Sequence, residues 1–168
     1  YTPAVNGVVT SVKNLQRELE CRGHEVRILT LSQTLHSWSR DGVTAIGSVN
    51  AGRIYPGARL RTAMAGRWVR ELMDWRPDVI HSQCEFSTFF LARRIAEELD
   101  VPLVHTHHTV SEDYTHYFPP RVLWGRCAVA AFSRWVAAQP DCVIAPTGQA
   151  RALPAASGVR RPRVALPA

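Results

Sequence analysis

Between Leu103 and Phe118 the chain reads LVHTHHTVSEDYTHYF, and side chains able to take up or give up protons crowd together. Histidines 105, 107, 108 and 116 (His105, His107, His108, His116), two carboxylates (Glu112, Asp113) and two tyrosines (Tyr114, Tyr117) all fall within it. Leu103 and Val104 have the apolar character of the end of a buried strand, and the sequence turns polar at once. Ligands in an open α/β sheet bind outside the carboxyl ends of its strands, so chemistry is expected at such a point. A metal centre is one alternative. It would need ligands converging on one point, usually with a second pair at fixed spacing. His105 and His107 share one face of a strand, but no cysteine or histidine pair of matching spacing stands nearby. No metal is expected. A loop of solvated histidines is the plainer alternative, and we read the stretch as a substrate-binding loop.

Three further places could carry chemistry. Val79–His81 reads as a short strand running into Ser82, Gln83, Cys84 and Glu85, a second polar strand end. At the start, Tyr1–Gly7 (YTPAVNG) is a loop that opens a helix. Free N–H groups and the positive end of a helix dipole favour an anion there, although a single glycine is more often only a turn. The third place is Arg53–Arg76, which carries six arginines against Glu71 and Asp74. From Ala58 on, Leu60, Met64, Trp68 and Leu72 recur at i, i+4 steps, which predicts one basic amphipathic helix. Such a helix can lie in a membrane interface, with Arg59, Arg61, Arg67, Trp68 and Arg70 facing the lipid surface. An ordinary core-facing helix with a basic solvent side reads the same residues equally well.

These stretches need a frame. Val8, Val12, Leu15 and Leu19 predict a helix running to about Arg22, with Gly23 as its C-cap. Strands are predicted over Glu25–Leu31, Val43–Val49, Cys142–Ala145 and Arg163–Leu166, and helices over Thr88–Leu99, capped by Ser87, and about Val122–Ala138. Strands alternating with helices predict a doubly wound parallel sheet flanked by helices, a Rossmann-like α/β fold. The loop–helix–strand opening implies a strand before Tyr1, so an N-terminal truncation is expected. With 168 residues, 46% of them hydrophobic, the chain has the size and composition of one globular domain. No apolar run approaches the roughly 20 residues of a membrane span, and the opening residues lack the pattern of a signal peptide. Four cysteines, none in a C-x-x-C spacing, read as buried thiols of a reducing compartment. The net charge of +6 suits an anionic partner.

With those segments placed, the chain resembles the N-terminal domain of the family 4 glycosyltransferases of the GT-B fold. It is most similar to the branch that glucosylates diacylglycerol. The matching pieces are YTPAVNGVVTSV (1–12), GHEVRIL (23–29), PDVIHSQCEFS (77–87), VPLVHTHHTVSEDYTHYF (101–118), VIAPT (143–147) and GVRRP (158–162). The resemblance implies transfer of a hexose from a nucleotide sugar, UDP-glucose above all, with retention at the anomeric carbon. It implies that 1–168 is the acceptor-side domain, and that the donor-binding C-terminal domain and first strand lie outside it. Asn6 and Gly7 would face the donor diphosphate. His108 would be the active-site histidine beside the transferred sugar, while His81, Glu85, Glu112, Asp113, Tyr114 and Tyr117 would line the sugar and acceptor side. No cofactor beyond the nucleotide sugar is implied. Such a half is not expected to act alone, and Pro154 interrupts what the family makes a helix.

The expected partners are the donor, a lipid acceptor, an anionic membrane surface and the C-terminal domain. The expected location is cytoplasmic, peripheral on the inner face of the membrane. A non-catalytic module that docks on anionic lipid is the alternative from another class. Nucleic acid is not expected, because the aromatic-basic interleaving of an RNA-binding sheet is missing.

Overall fold

A computed structural model describes residues 7–50, 59–61, 66–84, 87–108, 123–144 and 163–164. Its contacts fall into two compact units, 1–76 and 77–168.

The first unit opens with helix α1 (Gly7–Cys21). Gly23 ends it at φ 84°, with His24 N–H bonded to the Leu19 carbonyl and Gly23 N–H to that of Glu20. This is a Schellman cap, and the positive φ is the reason a glycine stands there. Strand β1 (Ile28–Leu31) follows, then β2 (Trp38–Arg40) and β3 (Val43–Ile46). β1 pairs parallel with β3, and β2 pairs antiparallel with it. The hairpin between β2 and β3 turns on Asp41 and Gly42, both at positive φ. That is the type I′ geometry for which Asp-Gly is a strong signal. β2 is not among the predicted strands, although that dipeptide marks its turn.

Two predicted elements need correction. The strand over Val43–Val49 is really two, β3 and β4 (Ser48–Asn50). It breaks because Gly47 N–H donates to Ser37 Oγ and Ser48 N–H to the Thr34 carbonyl, which takes both donors out of the β3 ladder. The basic helix does not run from Ala58. Arg59–Arg61 is strand β5, antiparallel to β4 with Val49 opposite Leu60, and the helix α2 spans only Gly66–Asp74. A ladder partner outweighed the helical spacing around Leu60. The observed α2 holds Arg67 and Arg70 against Glu71 and Asp74, so it carries no net charge. Trp75, one residue beyond α2, lies under the Arg27 guanidinium at 4.6 Å.

In the second unit, β6 (Ile80–Ser82), α3 (Ser87–Leu99), β7 (Leu103–Thr106), α4 (Leu123–Ala138), β8 (Cys142–Ile144) and β9 (Arg163–Val164) follow in order. The strands form one sheet in the order β6-β7-β8-β9, every pair parallel. This is the Rossmann-like α/β arrangement that the alternation predicted. Its core is Phe89, Ala92 and Ala96 of α3, Leu103 of β7 and Val136 of α4, with Ile80, Val101 and Phe132 packed against it. Asp141 ties the sheet at its amino end, its carboxylate accepting from Leu103 N–H while its own N–H donates to the Leu103 carbonyl. The cysteine reading also changes. Cys21 and Cys84 are exposed and Cys142 is half-buried, so these thiols are not core residues.

Candidate active site

The carboxyl ends of β6 and β7 place the histidines. Ile80, His81 and Ser82 stand beside Leu103, Val104 and His105 in parallel register. Side chains alternate faces along a strand, so this register sorts the polar residues into two sets. Ser82, His105 and His107 take the face of Leu103, and His81, Gln83, Thr106 and His108 take the other.

The first set is structural. His105 is 0% exposed and His107 3%. The His105 ring meets Phe89 edge-on at 5.3 Å, and its Nδ1 lies 3.3 Å from Ser82 Oγ. Its Nε2 is buried with no hydrogen-bond partner among the described residues. Burial, with His107 close by, pushes its pKa down to about 3, so it is neutral at physiological pH. The His107 N–H donates to the Ile144 carbonyl, which carries the ladder one step past β7. Two of the histidines that drew attention in the sequence are therefore packing residues.

The second set is a connected polar face. His81 Nε2 lies 2.7 Å from Thr106 Oγ1 and 3.1 Å from Gln83 Nε2. Gln83 Oε1 lies 2.6 Å from His108 Nε2. His81, Gln83 and His108 are half-buried, so this face is reachable from solvent. Burial, and then the neighbouring His108, lowers the His81 pKa to about 4. A neutral His81 is a hydrogen-bonding group at neutral pH and not a charge. The arrangement offers a set of oriented donors and acceptors at the end of a parallel sheet, suited to holding a hydroxylated ligand.

Of the residues named from sequence, the structure brings His81 and His108 together through Gln83. Gln83 and Thr106 had no role in the sequence reading, although alternation from His81 and His108 would have put them on the same face. Gly7 is the exposed first residue of α1, whose first turn has no acidic side chain to offset the dipole. A Cβ at Gly7 would meet nothing within 4 Å, so glycine is not sterically required there. Arg67 and Arg70 are exposed on α2 and Trp68 is half-buried, while Arg59 and Arg61 lie on β5 and not on that helix. Asn6, Glu85, Glu112, Asp113, Tyr114, Tyr117 and His116 lie outside the described residues. Among the described residues no group of histidine, cysteine or carboxylate side chains could hold a metal ion, and no helix is long and apolar enough to cross a membrane.

Comparison with known proteins identifies the family. Residues 5–166 match Glycosyltransferase Family 4. Two curated relatives are both named alpha-monoglucosyldiacylglycerol synthase. The protein from Acholeplasma laidlawii is 37% identical over 119 residues, covering 70% of this chain and 30% of the relative. The protein from Streptococcus pneumoniae (strain ATCC BAA-255 / R6) is 34% identical over 150 residues, covering 88% of this chain and 33% of the relative. The chain thus spans about a third of the length of these relatives. A match across nearly its whole length, on a fold with a parallel sheet and its polar strand ends, shows that the chain belongs to glycosyltransferase family 4.

Proposed function

We propose that the complete protein moves a hexosyl group from a nucleotide sugar to a membrane lipid, and that this chain is its acceptor-side half. UDP-glucose is the donor we assign, and diacylglycerol or a close relative the acceptor. One observation carries the reading: a polar face of His81, Gln83, Thr106 and His108 ends two adjacent parallel strands, in a chain whose two relatives are synthases of a glucosyldiacylglycerol. Their names specify an alpha product. An α-linked donor sugar gives an α product only with net retention, so retention is part of the proposal.

In this scheme His108 hydrogen-bonds the transferred sugar and orients it as positive charge develops at the anomeric carbon. His81, neutral at working pH, helps to fix the face on which the acceptor rests. Gly7 opens α1, where backbone N–H groups and the helix dipole favour negative charge, and with Asn6 it is assigned to the donor diphosphate. Glu85, Glu112, Asp113, Tyr114 and Tyr117 complete the acceptor side. The complete protein works as a peripheral enzyme on the inner face of the membrane.

The test uses the complete protein with labelled UDP-glucose and vesicles containing diacylglycerol, with GDP-mannose and UDP-galactose as competing donors. Labelled lipid with an α-anomeric proton signal is the expected product. Transfer to soluble sugars alone, or no transfer from any of the three donors, would overturn the proposal.

A further inference from the structure

We propose that Gln83 is a positioning residue that holds His108 in one tautomer, with the proton on Nε2, by bridging it to His81. The inference rests on the functional reading above for the importance of His108. Its geometry stands independently.

A glutamine amide has a donating end and an accepting end. Gln83 Oε1 can only accept, so the 2.6 Å contact requires a proton on His108 Nε2. Gln83 Nε2 can only donate, so the 3.1 Å contact requires a lone pair on His81 Nε2. The Thr106 hydroxyl, 2.7 Å from that same nitrogen, can donate to it as well. Burial keeps His81 neutral, so one of its two nitrogens carries a lone pair, and the Gln83 amide donor selects Nε2 as that nitrogen. The amide therefore couples two rings in opposite senses. Where His81 Nε2 accepts, His108 Nε2 must donate, and the acceptor nitrogen of His108 is Nδ1. A rotated Gln83 amide would reverse both assignments, so the tautomer of His108 is a direct readout of the bridge.

The strand register makes this possible. Gln83 lies two residues beyond His81 on the same face, and His108 two residues beyond Thr106. Ser82 stands beside His105, so Gln83 follows at the level of Thr106, and its amide reaches back to His81 and forward to His108. A side chain that hydrogen-bonds a sugar through one imidazole nitrogen needs its other nitrogen held, because the wrong tautomer presents a donor where an acceptor is needed.

The experiment is histidine-selective 15N NMR on the complete protein, with His108 assigned by comparison with His108→Ala, alongside steady-state kinetics. The expected wild-type spectrum shows His108 protonated on Nε2 and His81 unprotonated there. Gln83→Leu should give His108 a mixture of tautomers and lower kcat by about tenfold to a hundredfold, with KM little changed. Gln83→Glu is the rescue, because a carboxylate still accepts from Nε2–H. It should keep the Nε2–H tautomer and recover part of kcat. It also keeps the inference testable if the leucine variant folds poorly. An unprotonated Nε2 in the wild type, or an Nε2–H tautomer unchanged by Gln83→Leu, would overturn the bridge. A lost tautomer with unchanged kcat would leave the bridge standing and remove His108 from the proposed transfer step.

Discussion

The surface ion pairs of the first unit and the buried histidines at the sheet end of the second handle charge in opposite ways. In the first, ionic groups stay at the surface and pair there. Arg27 donates to Glu25 from Nε and Nη2 and covers the Trp75 ring, and the Glu25 carboxyl is held below its ordinary pKa by Trp75 and then Arg27. Arg67 pairs with Glu71 at 2.9 Å on an exposed helix face. A cavity of about 400 Å³ in this unit is lined by Glu20, Glu25, Arg27, Asp41 and Glu71 among others. In the second unit His81 and His105, at the sheet's end, are imidazoles made neutral by burial. A surface pair is screened by water and salt and contributes little. A buried neutral histidine keeps a fixed hydrogen-bonding pattern until acid protonates it. The pairs of the first unit, like Arg93–Glu97 and Arg94–Glu98 on α3, should therefore respond to salt, and the histidines at the sheet end to pH.

The sharpest break in that comparison is one histidine from each unit. His108→Ala in the complete protein should lower kcat by about two to three powers of ten with little change in KM, as removal of a transition-state contact does. His36→Ala, at an exposed histidine of the first unit, should leave both within about twofold, as expected of a surface change. Steady-state kinetics on both variants checks it. Equal losses would remove His108 from the active site.

The next effect is on stability, and it separates the two faces of the second unit's sheet. His105→Ala deletes a fully buried ring from against Phe89 and should cost about 2–4 kcal/mol of unfolding free energy. Acid should act on the same ring. His81 and His105 fall from an ordinary 6.5 to about 4 and about 3 on folding. The unfolded chain then binds more protons than the folded one below about pH 6.5, so stability rises with pH across that window. It is full above that value and is lost as pH falls through about 4 and then about 3. Guanidinium titrations from pH 7 to 4 should show this decline, and His105→Ala should flatten it. An unchanged slope in the variant would mean that His105 is not a buried neutral histidine.

The sequence was most legible where local pattern and tertiary partner agree. Helical spacing found α1 and α3, and the apolar pair Leu103 and Val104 marked β7, as burial of a strand in a parallel sheet requires. It failed where a residue's fate depended on a distant partner. Leu60 has helical neighbours in sequence, but the β4 ladder claims it. The histidines show the same limit. Their types announced chemistry, yet only the register of β6 against β7 reveals that His105 turns inward to Phe89 while His108 meets Gln83. Gln83 gave no signal by type, since its importance lies in the two rings that it joins.

The smallest effect lies on the first unit, at the membrane surface proposed as a partner. With two arginines and two carboxylates, α2 has no net charge, so single residues decide what remains for a lipid headgroup. Arg67 is already held by Glu71, whereas Arg70 is exposed with no ion pair among the described residues. A basic side chain near an anionic bilayer is worth about 1 kcal/mol, which corresponds to roughly a fivefold change in partitioning. Arg70→Gln should therefore weaken binding of the complete protein to anionic vesicles by about that factor. Arg67→Gln should cost less, because the wild-type guanidinium is partly neutralised before it meets the lipid. The apolar stripe of α2, Trp68, Val69, Leu72 and Met73, is half-buried within the protein, so little of it is free to enter a bilayer. Binding should then fade as salt rises past the point where the screening length drops to a few ångströms. Co-sedimentation across a salt series measures all three expectations. Wild-type protein left in the supernatant at low salt would exclude anionic docking, and binding that survives high salt would show that an apolar face inserts after all.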